Sequence, residues 1–101
     1  MSDDDGNVQA PGGVLESPVT MYSTRFCPYC VQAERLLRAK GVQDIAKVRV
    51  DLEPERRAEM MTRTGRRTVP QIYIGQTYVG GYDDLVALDR AGKLDPLLQG
   101  A

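Results

Sequence analysis

Histidine is absent from this chain of 101 residues, and with it the commonest general base and the commonest metal ligand at neutral pH. Any nucleophile must therefore be activated by other means. Long apolar runs are missing too. None approaches the roughly 20 residues that cross a bilayer, and 27% of the residues are charged, so no membrane partner is expected. The opening Met1-Ser2-Asp3-Asp4-Asp5 has neither the basic flank nor the apolar stretch of a secretory signal, and a cytoplasmic protein is expected. A dense basic stripe is also lacking. The acidic Asp3, Asp4, Asp5 and Glu16 precede any Lys or Arg, and the remaining 13 basic and 10 acidic residues leave a body of +3. That charge suits a small anionic substrate but falls short of phosphate-backbone binding, so nucleic acid is not an expected partner. With 42% apolar residues the chain can build one small core and one domain, expected to act as a monomer.

Cysteine is scarce: two residues, adjacent in Cys27-Pro28-Tyr29-Cys30. A disulfide closing so short a loop removes little entropy from the unfolded chain, which makes reactivity or metal binding the better reason for the pair. Half a zinc site would need two further ligands, and there is neither a second cysteine pair nor any histidine.

Residues 1–17 combine an acid run with Pro11, Gly12 and Gly13 and show no sustained period, which reads as a flexible acidic tail before a domain at 18–101. From Pro18 the segments alternate in type. Val19 to Ser23 reads as a strand, and Val31 to Lys40 as a helix ended by Gly41. Ala46 to Asp51 is a second strand; a second helix opens near Pro54 and stops at Gly65. Gln71–Ile74 and Thr77–Val79 read as a hairpin about Gly75-Gln76, and Asp83 or Asp84 can cap a third helix carrying Leu85, Val86 and Leu88 and closed by Gly92. The order β-α-β-α-β-β-α makes the first two strands parallel and the last two antiparallel. The expected fold is α/β, a four-stranded mixed sheet flanked by three helices.

Pro28 at a first helical position makes Cys27 the N-cap of the first helix. The free N–H groups of Tyr29 and Cys30 then point at its sulfur, and the helix dipole favours a thiolate there without help from histidine. Arg25 adds positive charge nearby. Cys30 lies one turn on, placed to attack a mixed disulfide formed at Cys27, so Cys27 is the nucleophile and Cys30 resolves. Tyr29 is expected to stack on substrate or shield the sulfurs, and Phe26 to pack into the core. Met60 and Met61 read as ordinary helix packing.

With these residues the chain resembles a glutaredoxin of the dithiol, bacterial type: Cys27-Pro28-Tyr29-Cys30, then Thr68-Val69-Pro70 before the strand QIYIG, then Gly80-Gly81-Tyr82-Asp83-Asp84-Leu85 and the ending Leu94-Asp95-Pro96-Leu97-Leu98. The resemblance spans about Pro18 to Leu98. It implies a thioredoxin-like fold and glutathione-dependent reduction of glutathione mixed disulfides and protein disulfides, with glutathione as co-substrate and no tightly bound cofactor or metal.

The resemblance also implies site roles. Pro70 is cis and lies against the cysteines, and Thr68 and Val69 frame the peptide-like part of glutathione, Val69 pairing with it as an added strand would. The γ-glutamyl carboxylate docks at Gly81, Tyr82 and Asp83, where a helix start offers free N–H groups, and Asp83 meets the amino group. Many relatives carry a small residue where this chain has Tyr82. The glycyl carboxylate needs a cation, for which Arg67 is favoured over Arg66. Relatives commonly place Lys or Arg where this chain has Thr24, one position before Arg25. Two alternatives remain beside the enzyme: a carrier in which Cys27 and glutathione from each of two subunits ligate a [2Fe-2S] cluster, and a redoxin served by thioredoxin reductase. Pro28 is unlike the Gly usual in dedicated carriers, and Gly80-Gly81-Tyr82-Asp83 is unlike the corresponding segment of such redoxins.

Overall fold

The computed structural model describes residues 17–100; the tail read at 1–17 lies outside the described residues except for Ser17. Four strands, β1 (Val19–Ser23), β2 (Ile45–Arg49), β3 (Gln71–Ile74) and β4 (Thr77–Gly80), alternate with α1 (Pro28–Ala39), α2 (Pro54–Thr64), α3 (Tyr82–Arg90) and α4 (Leu94–Leu98). The sheet order is β2-β1-β3-β4. β1 runs parallel to β2, with Val19 opposite Ile45, and antiparallel to β3, with Val19 opposite Ile74. A register shift between Ile72 and Tyr73 interrupts the β3–β4 pairing.

Successive strand residues face opposite sides, and the core divides accordingly. Val19, Met21, Ile72 and Ile74 join Cys30, Ala33 and Leu37 of α1, Leu85 of α3, and Leu94 and Leu98 of α4. Tyr22, Val48, Val50 and Tyr73 pack with Met60 of α2 on the other face. The buried Tyr22 hydroxyl donates to Glu59 and accepts from Arg63, and the Arg63 guanidinium lies 4.1 Å from the Tyr73 ring centre, which ties α2 to the sheet. No helix of the described residues is long and apolar enough to cross a membrane.

Several boundaries differ from the sequence reading. β2 occupies Ile45–Arg49 rather than Ala46–Asp51, because the chain turns early: the N–H groups of Leu52 and Glu53 both donate to the Arg49 carbonyl. A fourth helix appears where three were expected. It is a five-residue turn held by the burial of Leu94 and Leu98. Ser17, read as the end of the tail, is fastened to that helix, its N–H donating to Leu98 O at 3.2 Å and its hydroxyl to Leu97 O at 2.9 Å.

Candidate active site

β1 delivers the chain to the N-terminus of α1, where Cys27 has extended backbone angles and Pro28 opens the helix. Its Sγ accepts the Cys30 N–H at 3.2 Å and stands 3.7 Å from the Val69 carbonyl oxygen. Of the two N–H groups expected to face the sulfur, that of Cys30 is the one that bonds it. Cys27 is half-buried, while Cys30 is 5% exposed. Burial, then the hydrogen bond and charge of Cys27, push the Cys30 thiol up to about 12, against the opposing pull of the Thr24 backbone. The pair is therefore unequal: one sulfur at the surface with a backbone donor, one held beneath it as a protonated thiol.

The Val69-Pro70 peptide is cis. Pairing of β3 begins at Gln71, so the sheet does not engage the Val69 N–H. An open groove of about 330 Å³ adjoins this turn. Of the expected glutathione contacts, Tyr29, Thr68, Val69, Pro70, Gly81, Tyr82 and Asp83 line it, joined by Arg66, Gln71 and Asp84. Arg25 and Arg67 do not belong to that lining. Arg25 turns its guanidinium over the Phe26 ring at 4.9 Å, and its N–H donates to Asp51. Arg49 grips the same Asp51 with two bonds, holding its carboxyl down at about 2. Arg67 offers its carbonyl to Arg57, whereas Arg66 sits in the groove wall with Nη1 3.2 Å from Asp84 Oδ2.

The far end of the groove is the start of α3. Gly81 is its N-cap, in place of the expected Asp83 or Asp84, and Asp84 Oδ2 accepts the Gly81 N–H at 2.9 Å. Gly80 has φ +113, a conformation that disfavours side chains, and a Cβ there would collide with Asp84 Oδ2. Tyr82 stacks on Tyr29 with ring centres 6.1 Å apart, closing one side of the groove between the two helix starts. Phe26 overturns its expected core placement: next to Cys27, it is 83% exposed. Phe26 lies in the loop between the end of β1 and the start of α1, outside both clusters of the core. Gln71 and the pairing of Arg66 with Asp84 were not foreseen from the sequence, although Arg66 was weighed there as a cation and a Gln opening an otherwise apolar four-residue strand was a visible signal.

A surface cysteine at a helix start, a buried partner one turn on and a cis-proline loop against them on this four-stranded sheet define a thiol–disulfide oxidoreductase of thioredoxin-like fold. The glutaredoxin family model matches residues 19–79, and the chain belongs to that family. It is 57% identical to a glutaredoxin of Pseudomonas aeruginosa over 81 residues, covering 80% of this chain and 95% of that one. It is 48% identical to glutaredoxin 3 of Escherichia coli, covering 80% and 96%. Among solved structures, a glutaredoxin from Brucella melitensis superposes with TM-score 0.74 at 46% identity, covering 91% of this chain and 98% of that one. A buckwheat glutaredoxin–glutathione complex superposes with TM-score 0.77 at 31% identity, covering 83% and 78%.

Proposed function

We propose that the protein reduces glutathione mixed disulfides and protein disulfides with glutathione as electron donor, using Cys27-Pro28-Tyr29-Cys30. The carrying observation is the groove that begins beside the Cys27 sulfur, passes Val69 and Pro70, and ends at the N–H groups of α3. Its lining holds a partner for each of the two carboxylates of glutathione. The helix start at Gly81–Asp83 receives the γ-glutamyl carboxylate, Asp83 faces the amino group, and Arg66 takes the glycyl carboxylate in the role the sequence assigned to Arg67. The Val69 N–H and C=O pair with the peptide between them. The buckwheat relative solved with glutathione supports this reading.

In the first step the Cys27 thiolate attacks the glutathionyl sulfur. A Cys27–glutathione disulfide forms as the substrate S–S bond breaks, and the substrate thiolate leaves and takes a proton. The thiolate of a second glutathione then attacks the bound glutathionyl sulfur, releasing oxidised glutathione and restoring the Cys27 thiolate. With a protein disulfide, Cys27 forms a mixed disulfide with the target. Cys30, once deprotonated, attacks the Cys27 sulfur, the target's second thiol leaves, and two glutathiones reduce the resulting Cys27–Cys30 disulfide.

A coupled assay with glutathione, glutathione reductase and a small glutathionylated disulfide tests the proposal. Turnover is expected from the wild-type protein and none from Cys27→Ser, since a serine hydroxyl is a far poorer nucleophile at neutral pH. A wild-type protein that turns over only with thioredoxin reductase would overturn it.

A further inference from the structure

Gln71 is a polar side chain with 0% exposure lying beneath the groove. Its Nε2 donates to Thr68 O at 3.0 Å and approaches Thr68 Oγ1 at 3.4 Å, while its Oε1 accepts the Tyr78 hydroxyl at 2.5 Å. The amide has one workable orientation, since reversing it would set its oxygen against the Thr68 carbonyl oxygen. Every strong bonding direction used is local to this corner, and a buried amide so placed is costly to disturb.

The position of Gln71 gives those bonds a purpose. It is the residue at which the ordered ladder begins, paired with Tyr22 of β1, and Pro70 immediately precedes it. The backbone of Thr68 and Val69 therefore gets no support from the sheet. The Gln71 side chain reaches back three residues to hold it. Tyr78, which anchors the other end of the amide, packs on Tyr73 at 5.3 Å and carries the Arg66 guanidinium 6.0 Å from its ring centre. Arg66 in turn pairs with Asp84, which bonds the Gly81 N–H. One connected set of contacts thus joins the two ends of the groove.

We propose that Gln71 is a positioning residue for substrate: through Thr68 it fixes the direction in which the Val69 N–H and C=O face the groove, with Tyr78 as its anchor. This rests on the glutathione reading above. Gln71 touches no substrate atom in this role, so its loss weakens binding of the substrate main chain and leaves the sulfur chemistry intact.

The test uses the full chain, a glutathionylated peptide and glutathione as reductant. Gln71→Met keeps an unbranched side chain of similar length without the amide. Its KM is expected to rise about five- to tenfold with kcat within about twofold, as loss of one or two buried hydrogen bonds predicts. The rate at which iodoacetamide alkylates Cys27 should not change. Tyr78→Phe keeps the ring packing and removes the hydroxyl that anchors the amide, with an expected KM rise of roughly two- to threefold. It also carries the test should Gln71→Met fail to fold. An unchanged KM in the folded variants overturns the role of Gln71, as does a fall in kcat and alkylation rate together with the KM change, which marks a distorted site. Absence of wild-type turnover would overturn the glutathione reading instead.

Discussion

The burial of Cys30 makes a quantitative claim about which sulfur reacts. A thiol held at about 12 is ionised to roughly one part in 10⁵ at pH 7, whereas an ordinary cysteine near 8.5 is ionised to a few per cent. The thiolate is the reacting species, so alkylation of Cys30 should run about 10³-fold slower than that of a free cysteine peptide, before its 5% exposure slows it further. The largest cause is burial; the hydrogen bond and charge of Cys27 come next. Those latter two vanish when Cys27 is tied up in a mixed disulfide, so the Cys30 thiol should gain reactivity at the resolving step proposed for it. Brief iodoacetamide labelling at pH 7, read by peptide mass spectrometry, should modify Cys27 alone. Cys30 labelling should climb nearly tenfold per pH unit and should be faster in Cys27→Ser than in the wild type. Cys30 labelling within tenfold of the free peptide, or unchanged by Cys27→Ser, refutes the reasoning.

Cys30→Ser should retain turnover of a glutathionylated peptide, which needs one thiol, and should lose most reduction of a protein disulfide while accumulating a covalent enzyme–target complex, because intramolecular resolution is gone; equal loss of both activities would contradict the division of roles. Gly80→Ala forces a side chain into φ +113 and against the Asp84 carboxylate, at a cost of roughly 2–3 kcal/mol from strain and the lost Gly81 bond; a melting temperature lower by about 10 °C or more is expected, and a drop under 2 °C would count against the geometry. Cys30, Tyr22 and Tyr78 all have raised values in the folded protein. Each contributes stability that is complete below its unfolded value and lost as pH rises toward its folded one, so denaturant midpoints should fall from about pH 9 upward, less steeply in Cys30→Ser; a midpoint flat to pH 11 would oppose this.

The parts of the site carried by local chemistry were legible in the sequence. Cys27 before Pro28 marks a helix N-cap, Pro54 and Gly65 bracket α2 as read, and β1 and β3 appear with their expected ends. What failed depends on neighbours distant in sequence. Phe26 looks like core until the orientation of α1 is known, and α4 is one turn containing Pro96, held by the burial of Leu94 and Leu98. Which of Arg66 and Arg67 lines the groove shows only once the fold brings Asp84, 18 residues away, alongside Arg66. Gln71 acquires its meaning only when β4 brings Tyr78 alongside.

The sheet has two open sides, β2 and β4, and an open strand invites another chain to pair with it. β2 is five residues long and carries Lys47, clasped to Glu34 at 2.7 Å, along with Arg49. β4 is four residues long, and its register slips against β3 between Tyr78, opposite Tyr73, and Gly80, opposite Ile72. Short length, fixed charge and a broken register each make a poor template for strand addition. The backbone left outside the ladder at Val69 lies 3.7 Å from the Cys27 sulfur instead, so unpaired main chain is offered at the groove rather than at the flanks of the sheet.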